Sequence, residues 1–350
     1  MNFKDLKYLT AYAVPGCAAV GLVLQSMWLW LTPLVIFGLV PIVELAVANP
    51  PVNLDEEQRS SKLASKFFDL LLWLNLPIVF GMVAWGLYVA TTADLTGGQL
   101  TGLILSIGIV AGSNGINVAH ELGHRHNWER YIGKALLMPS LYMHFFIEHN
   151  YGHHLNAATI EDPATARYNQ SLYHFWFTSV TRQYAGAWKI QKRLNGVNNT
   201  AGLSFNNDML WYTVLQLLYL AAITAVFGIS GLLVALGIAL TGALLLETIN
   251  YIEHYGLRRS KTKTGRYERV REIHSWNSNH VLGRVLLYEL TRHSDHHYKS
   301  DKKYQVLDYH DVSPQLPFGY PTSMVLATMP PLWFAVMNKH VPSDMKLAHG

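Results

Sequence analysis

Long apolar runs separated by short polar connections set the pattern of this chain. Roughly 20 residues of helix cross a bilayer core, and six stretches have that length: 8–25, 27–48, 67–90, 100–119, 209–227 and 230–251. Only a residue or two separates the members of the first pair and of the last pair. Each pair is therefore expected to form a helical hairpin. Two long polar stretches, about 120–208 and 252–350, contain semi-apolar pieces at Leu136–Ile147 and Gly319–Met337. Pro and His interrupt these pieces, so they are expected to pack under the bundle as re-entrant or interfacial helices. No fixed-period repeat and no low-complexity tail divides the chain. The expected fold class is an all-α integral membrane protein with six transmembrane helices and a histidine-rich cap, 1–350 forming one membrane-embedded domain.

Charge sharpens this reading. Of 350 residues, 50% are hydrophobic and only 14% charged, against about 25% in an ordinary soluble domain. No Lys or Arg occurs from Tyr8 to Gln58, from Phe67 to His124, or from Leu194 to Leu257. A bilayer core selects such runs, because a charge at its centre costs about 2.5–3.5 kcal/mol on insertion scales. The connections near 25–27, 91–99 and 228–231 lack cations, whereas Lys4, Lys7, Arg59–Lys66, Arg125–Lys134, Arg167–Arg193 and Arg258–Arg271 lie on the other side. By the positive-inside rule both termini and both long loops are expected in the cytoplasm. A net charge of +4 is too small and too clustered for a nucleic-acid binder. Cys17 is the only cysteine, which excludes a disulfide framework, a Cys-ligated zinc ribbon and a rubredoxin or ferredoxin module.

Against that single cysteine stand 17 histidines, and four clusters carry the chemistry. His120-Glu121-Leu122-Gly123-His124 sits where the fourth span ends, and its spacing of four puts both imidazoles on one helix face. Alone, this is also the signature of zinc metalloproteases, with the Glu as general base. The second cluster is Glu148-His149-Asn150-Tyr151-Gly152-His153-His154. The third, Asn250-Tyr251-Ile252-Glu253-His254-Tyr255-Gly256, ends the sixth span. The fourth is Arg292-His293-Ser294-Asp295-His296-His297. Together they offer nine candidate ligands: His120, His124, His149, His153, His154, His254, His293, His296 and His297. A zinc protease uses three protein ligands, so nine exceed any mononuclear site and fit two metals of four or five ligands each. Imidazole suits zinc, copper, iron and nickel. A histidine-ligated di-iron centre in a membrane protein points to oxygen activation on a lipophilic substrate. Glu121, Glu148, Glu253 and Asp295 neighbour these histidines and are natural acceptors for the other ring N–H; His274 and His280 are candidates for the same outer shell.

These strings resemble the three histidine boxes of the integral-membrane alkane 1-monooxygenases, within the wider group of membrane fatty acid desaturases and hydroxylases. The string from Asn250 to Leu257 resembles the signature that separates alkane hydroxylases from desaturases. Asp162-Pro163-Ala164-Thr165, the run from His274 to His280, and Leu316-Pro317 with Gly319-Tyr320-Pro321 are weaker family-like pieces. Thr291 and Tyr298 depart from the pattern, at positions that are not ligands.

The resemblance implies two non-haem irons, O2 as co-substrate, and hydroxylation of the terminal methyl of medium- to long-chain n-alkanes to 1-alkanols. It implies a bacterial inner membrane and electrons from a rubredoxin served by its reductase; with one cysteine in the chain, that donor is a separate protein. It implies an apolar tunnel narrowed in the second span, with Ile36 first among Trp28, Trp30, Ile36 and Phe37 as wall residues. Arg258, Arg259, Lys261 and Lys263, in the cationic patch, are candidates for docking an acidic donor; lipid anchoring is the competing reading. A fatty-acyl desaturase or lipid hydroxylase shares the same kind of site. An intramembrane zinc protease would leave seven clustered histidines unexplained, and a metal transporter would set its polar groups near mid-bilayer.

Overall fold

The computed structural model describes residues 3–47, 49–197 and 205–347. Ala48, which closes the second expected span, lies outside the described residues, as do 198–204 and 348–350 in the expected cap segments. Among the described residues the chain is helical, with isolated bridges Lys261–Tyr267 and Asn277–Gln315 but no strand. Among the described residues five helices are long and apolar enough to cross a membrane: α1 (Phe3–Leu24), α2 (Ser26–Ala46), α3 (Phe67–Thr92), α4 (Gly97–Gly123) and one over Asp208–His254. The protein is a multi-pass membrane protein of the all-α class.

The last of these contains both members of the expected second hairpin. A straight helix of 47 residues would run about 70 Å, more than twice a hydrocarbon core of about 30 Å. Gly228 breaks it, with φ +68° and ψ −170°, a conformation that only glycine adopts without strain. The reversal is tight enough that a Cβ on Gly231 would lie 2.2 Å from the Phe227 Cβ.

α4 is the axis of the bundle. Its start is written in the sequence as Thr-x-x-Gln: the Thr96 hydroxyl accepts from the Gln99 N–H, and the Gln99 side chain accepts from the Thr96 N–H at 2.8 Å. It packs against α1, α2 and α3 and against the second half of 208–254. Backbones meet closely at Gly108, where a Cβ would lie 2.3 Å from that of Thr241. Small residues at the crossing are how apolar helices gain contact in lipid, where burial from water drives nothing.

Several polar side chains within the spans are paired with one another or with the polar segments. Asn114 donates to Asn75 at 2.9 Å, and Asn75 donates to the Tyr288 hydroxyl at 3.1 Å. Glu247 accepts from Tyr142 and Gln183, both at 2.8 Å. These bonds tie the spans to the polar segments that carry the histidines. The polar segments supply α5 (145–156), α6 (Leu172–Val197), α8 (His293–Tyr298) and α9 (Tyr320–Ala327), and the span Asp208–His254 is α7.

Candidate metal centre

Local helix geometry decides which way each histidine faces. His120 lies on the last turn of α4 and His124 just past its end, four residues on and one turn down the same face. In α5, residues His149–His153 form a π turn, with the His154 N–H bonded to the His149 carbonyl. Such an i→i+5 turn returns the fifth residue to the starting face, so His149 and His154 point together and His153 points elsewhere. In α8, His293 and His297 share a face at a spacing of four, and His296 is rotated off it. His254 is the last residue of α7.

The nine side chains form two adjoining groups. One ring nitrogen of each of His120, His124, His149, His154 and His296 lies within 4.8 Å of the others, and the same holds for His153, His254, His293 and His297. In the first group the Nε2 atoms of His124, His149 and His154 make a triangle with sides of 3.1, 2.9 and 3.3 Å. In the second, His297 Nε2 is 2.9 Å from His293 Nε2 and 3.1 Å from His153 Nε2, while His254 Nε2 is 3.2 Å from His293 Nε2. The groups share a wall, the His154 and His297 rings being 4.7 Å apart.

Hydrogen bonding does not account for the triangle. Each ring nitrogen is either donor or acceptor, so of three mutually close Nε2 atoms two must share a role. A cation resolves the conflict: nitrogens on bonds of about 2.0–2.1 Å at right angles sit roughly 3 Å apart. The electrostatics agree. Burial, and then the surrounding imidazoles, hold His149, His154, His293, His296 and His297 far below the usual histidine range. Burial, and then Arg125, bring His124 down to about 3. Neutral imidazoles with free lone pairs are what a metal requires. The histidine groups fit a metal site.

The carboxylates are distributed differently from the sequence expectation. Glu121 accepts from Arg125 at 2.8 Å and from the Tyr304 N–H at 3.3 Å, not from a histidine ring. Asp295 holds Lys302, His310 and the Asp308 N–H. Glu148 is buried with Oε2 unpartnered, and burial, then the nearby Asp162 and Glu247 carboxylates, push it well above the carboxylate range. The carboxylate that does meet the outer nitrogen of a clustered histidine is Asp162, 2.9 Å from His153 Nδ1 and bonded by the Thr165 hydroxyl at 2.5 Å. Burial alone would raise Asp162, but the His153 ring and Thr165 hold it low. Glu253 reaches further in than expected: Oε2 is 3.2 Å from His293 Nε2, the nitrogen that also faces His254 and His297. His274 and His280 join neither group. His274 Nδ1 accepts from the Arg271 N–H, and His280 Nδ1 pairs with the Ser278 hydroxyl.

Residues 98–325 match the family model of fatty acid desaturases. Alkane 1-monooxygenase 2 of Pseudomonas aeruginosa is 39% identical over 321 residues, covering 90% of this chain and 85% of that protein. The protein of the same name from Alcanivorax borkumensis is 37% identical over 97% of this chain and 92% of its own. The chain belongs to the alkane 1-monooxygenase family. It is thus an alkane monooxygenase, an oxidoreductase of a non-haem iron family. A more distant likeness, 27% identical over 95% of this chain and 88% of the other, is to the xylene/toluene monooxygenase hydroxylase component XylM of Pseudomonas putida.

This monooxygenase has a narrow apolar cavity of about 40 Å³ between α1, α2, α4, α7 and α9, with Ile36, Phe37, Ile109, Leu245, Ile249 and Tyr320 in its walls. Tyr320 links it to the histidines, donating its hydroxyl to Glu253 Oε1 at 2.8 Å. A π turn over Val35–Leu39 sets how Ile36 and Phe37 project from α2. Trp28 and Trp30 do not line the cavity. They sit at the far end of α2, Trp28 exposed and Trp30 donating to the Gly98 carbonyl. The docking candidates also divide. Arg258 and Arg259 are buried, and Arg259 spends its guanidinium on the carbonyls of Leu155 and Glu268. Lys261 and Lys263 are exposed.

The sequence reading gave no role to Asp162 or to Tyr320. Both lie in short strings that it singled out, Asp162-Pro163-Ala164-Thr165 and Gly319-Tyr320-Pro321. A buried acid beside proline, 9 residues after His153, was the available signal.

Proposed function

We propose that this monooxygenase hydroxylates the terminal methyl of medium- to long-chain n-alkanes with two irons, one in each histidine group. The balanced reaction joins alkane, O2, two electrons and two protons to give a 1-alkanol and water. One observation carries the reading: two adjoining groups of closely spaced imidazoles are linked to an apolar cavity through Tyr320 and Glu253. A methyl group offers no polar handle, so acid–base chemistry has nothing to act on. When bound, the irons would supply the oxidising power for the C–H bond.

The chain's own residues do the rest. The nine histidines would hold the ions, five on one and four on the other, and Glu253 is positioned to add an oxygen donor to the four-histidine ion. Asp162 fixes the tautomer of His153, leaving Nε2 free to ligate. Ile36, Phe37, Ile249 and Leu245 orient an unbranched chain and exclude water, which keeps reactive species from side reactions. The same reading puts six spans in a bacterial inner membrane, the break at Gly228 dividing α7 in two, with the termini and histidine segments in the cytoplasm. Electrons would come from a separate rubredoxin and its reductase, with Lys261 and Lys263 as the exposed cations available to an acidic donor.

Metal analysis of detergent-purified enzyme, with product analysis on octane and hexadecane plus rubredoxin, its reductase and NADH, tests this. About two irons per chain and 1-alkanol products are expected. One zinc without oxygen consumption would overturn the reading. Unsaturated fatty-acyl products, or turnover of xylene but not octane, would move the enzyme to another substrate class.

A further inference from the structure

A second cavity, of about 270 Å³, lies away from the histidines, where the start of α1 meets the segment before α3 and the segment that precedes α8. Lys7, Lys62, Arg284 and Arg292 line it, and Glu289 is the one carboxylate in its walls. Glu289 is already shared: Arg284 binds it at 2.7 Å, Arg292 lies at 3.7 Å and Lys7 at 4.0 Å. Lys62 is bridged to Asp5, just outside. Even counting Asp5, two positive charges are left over.

Gln305 makes this more than a charged surface. It lines the cavity, is 3% exposed, and neither its amide nitrogen nor its amide oxygen has a hydrogen-bond partner. A buried amide left without partners is costly and calls for a ligand oxygen to accept from its NH2 and a hydroxyl or ordered water to donate to its oxygen. Apolar Val52, Val285 and Leu307 complete the walls. A larger cavity of about 840 Å³ shares Lys7, Val52, Leu54 and Lys62 with it and is lined as well by Lys4, Asp5, Asp55 and Glu57, so the surplus of positive charge is confined to the smaller cavity. The pocket therefore has a wide approach at the end of two spans, where lipid headgroups lie. Surplus cations, a buried unpartnered amide and apolar sides together match a phosphate carrying hydrocarbon.

We infer that this cavity binds the phosphate group of an anionic phospholipid, with Lys7, Lys62 and Gln305 as its contacts. The site is distinct from the metal centre and independent of the substrate. Arg292, one of its walls, directly precedes His293, so an occupied site would brace the start of α8.

The test titrates phosphatidylglycerol, phosphatidylcholine or inorganic phosphate into the full-length detergent-purified enzyme while the thermal unfolding midpoint is read. Binding to the folded state raises the midpoint by mass action. Phosphatidylglycerol is expected to raise it and phosphatidylcholine to leave it unchanged. Lys7→Ala and Gln305→Leu should each shift the half-effective concentration upward by roughly tenfold, the loss of one charge-assisted or buried bond. Lys339→Ala, which removes an exposed cation elsewhere, should not. Gln305→Leu also separates binding from folding: it deletes an unpartnered buried amide, so the lipid-free midpoint should hold or rise while the response moves to higher lipid concentration. If inorganic phosphate alone gives the same shift at similar concentration, the site is for a soluble phosphate and the lipid assignment fails. If both variants respond as the parent does, or Lys339→Ala loses as much, the cavity is not the site.

Discussion

The five-histidine and four-histidine groups touch, yet their surroundings differ in charge and in access to water. In the first, His124 and His154 are partly accessible, and among the described residues the clustered rings with a carboxylate partner, His153 and His293, both belong to the other group. In the second all four rings are buried, Asp162 holds His153 from behind, and Glu253 presents an oxygen beside His293. A cation in the first group would keep its whole charge among neutral ligands. One in the second would be partly neutralised by two acids, and dry. The second should therefore bind its ion more firmly, and the first should exchange it more readily with solvent.

Deleting a ligand from each group is the strongest way to break this contrast. His149→Ala and His293→Ala should both reduce alkane hydroxylation by more than about 100-fold, since losing even an outer partner costs roughly 10–100-fold. Their metal contents should differ. His149→Ala is expected to lose one iron and keep the other through purification, whereas His293→Ala, which also leaves Glu253 without its neighbour, should lose its iron less completely in rapid preparations than on dialysis. Equal, complete loss of both irons from both variants would mean that the groups do not bind independently.

Asp162→Asn is a gentler probe of the same asymmetry. The amide keeps the shape but removes the charge, so His153 loses its fixed tautomer and Thr165 its acceptor. Iron affinity of one site should fall by about 10–100-fold, leaving the other unchanged, and activity should recover partly at raised iron. A variant with both affinities intact would show Asp162 to be a packing residue only.

How much of this was legible in the chain depends on the kind of signal. Spans announce themselves because a bilayer tolerates neither cations nor polar interruptions, and the observed helices sit within a few residues of the expected runs. The nine histidines stood out by clustering. Their division into five and four did not, because it depends on a π turn at His149–His153 that sends His153 and His154 to different groups. That turn is a hydrogen-bond register, which residue types do not encode. The acids misled for a related reason: adjacency to a histidine in sequence points a side chain away from it on a helix. So Glu121 and Asp295 face cations and backbone N–H groups, while Asp162, on a loop, comes back to the ring. Arg258 and Arg259 read as surface charge, but two backbone carbonyls near Arg259 had called for a donor.

Acid should expose the histidines' shared constraint. With no metal bound, burial above all pushes His124 and His144 down to about 3, against about 6.5 in an unfolded chain. Above pH 6.5 these histidines are neutral in both states and their contribution to stability is flat. Between about 6.5 and 3 the unfolded chain takes up protons that the folded one refuses, so stability falls as pH falls. Each such histidine contributes about 1.4 kcal/mol per pH unit across that window. The unfolding midpoint of stripped enzyme should be level from pH 8 to 7 and drop steeply from 6.5 to 5. A level profile down to pH 5 would mean that the rings are not held neutral.

The smallest expected effect bears on which group the substrate meets. Tyr320 lines the apolar cavity and its hydroxyl holds Glu253, so the cavity adjoins the four-histidine side. At about 40 Å³ the cavity must widen to admit a hydrocarbon chain, and a bulkier wall limits how far it can. Ile36→Trp adds an indole to a half-buried position beside Phe37 and should move the preferred alkane to shorter chains, with iron content unchanged. Trp28→Ala and Trp30→Ala, at the far end of α2, should leave the length preference as it is. Competition between octane and hexadecane, read by gas chromatography of the alcohols, separates these outcomes. An unchanged ratio in Ile36→Trp would remove the cavity as the substrate's route, and with it the reason for bringing the methyl to the four-histidine group. A shift with all iron retained would give the two groups separate tasks: one dry and carboxylate-bearing beside the hydrocarbon, the other open to solvent.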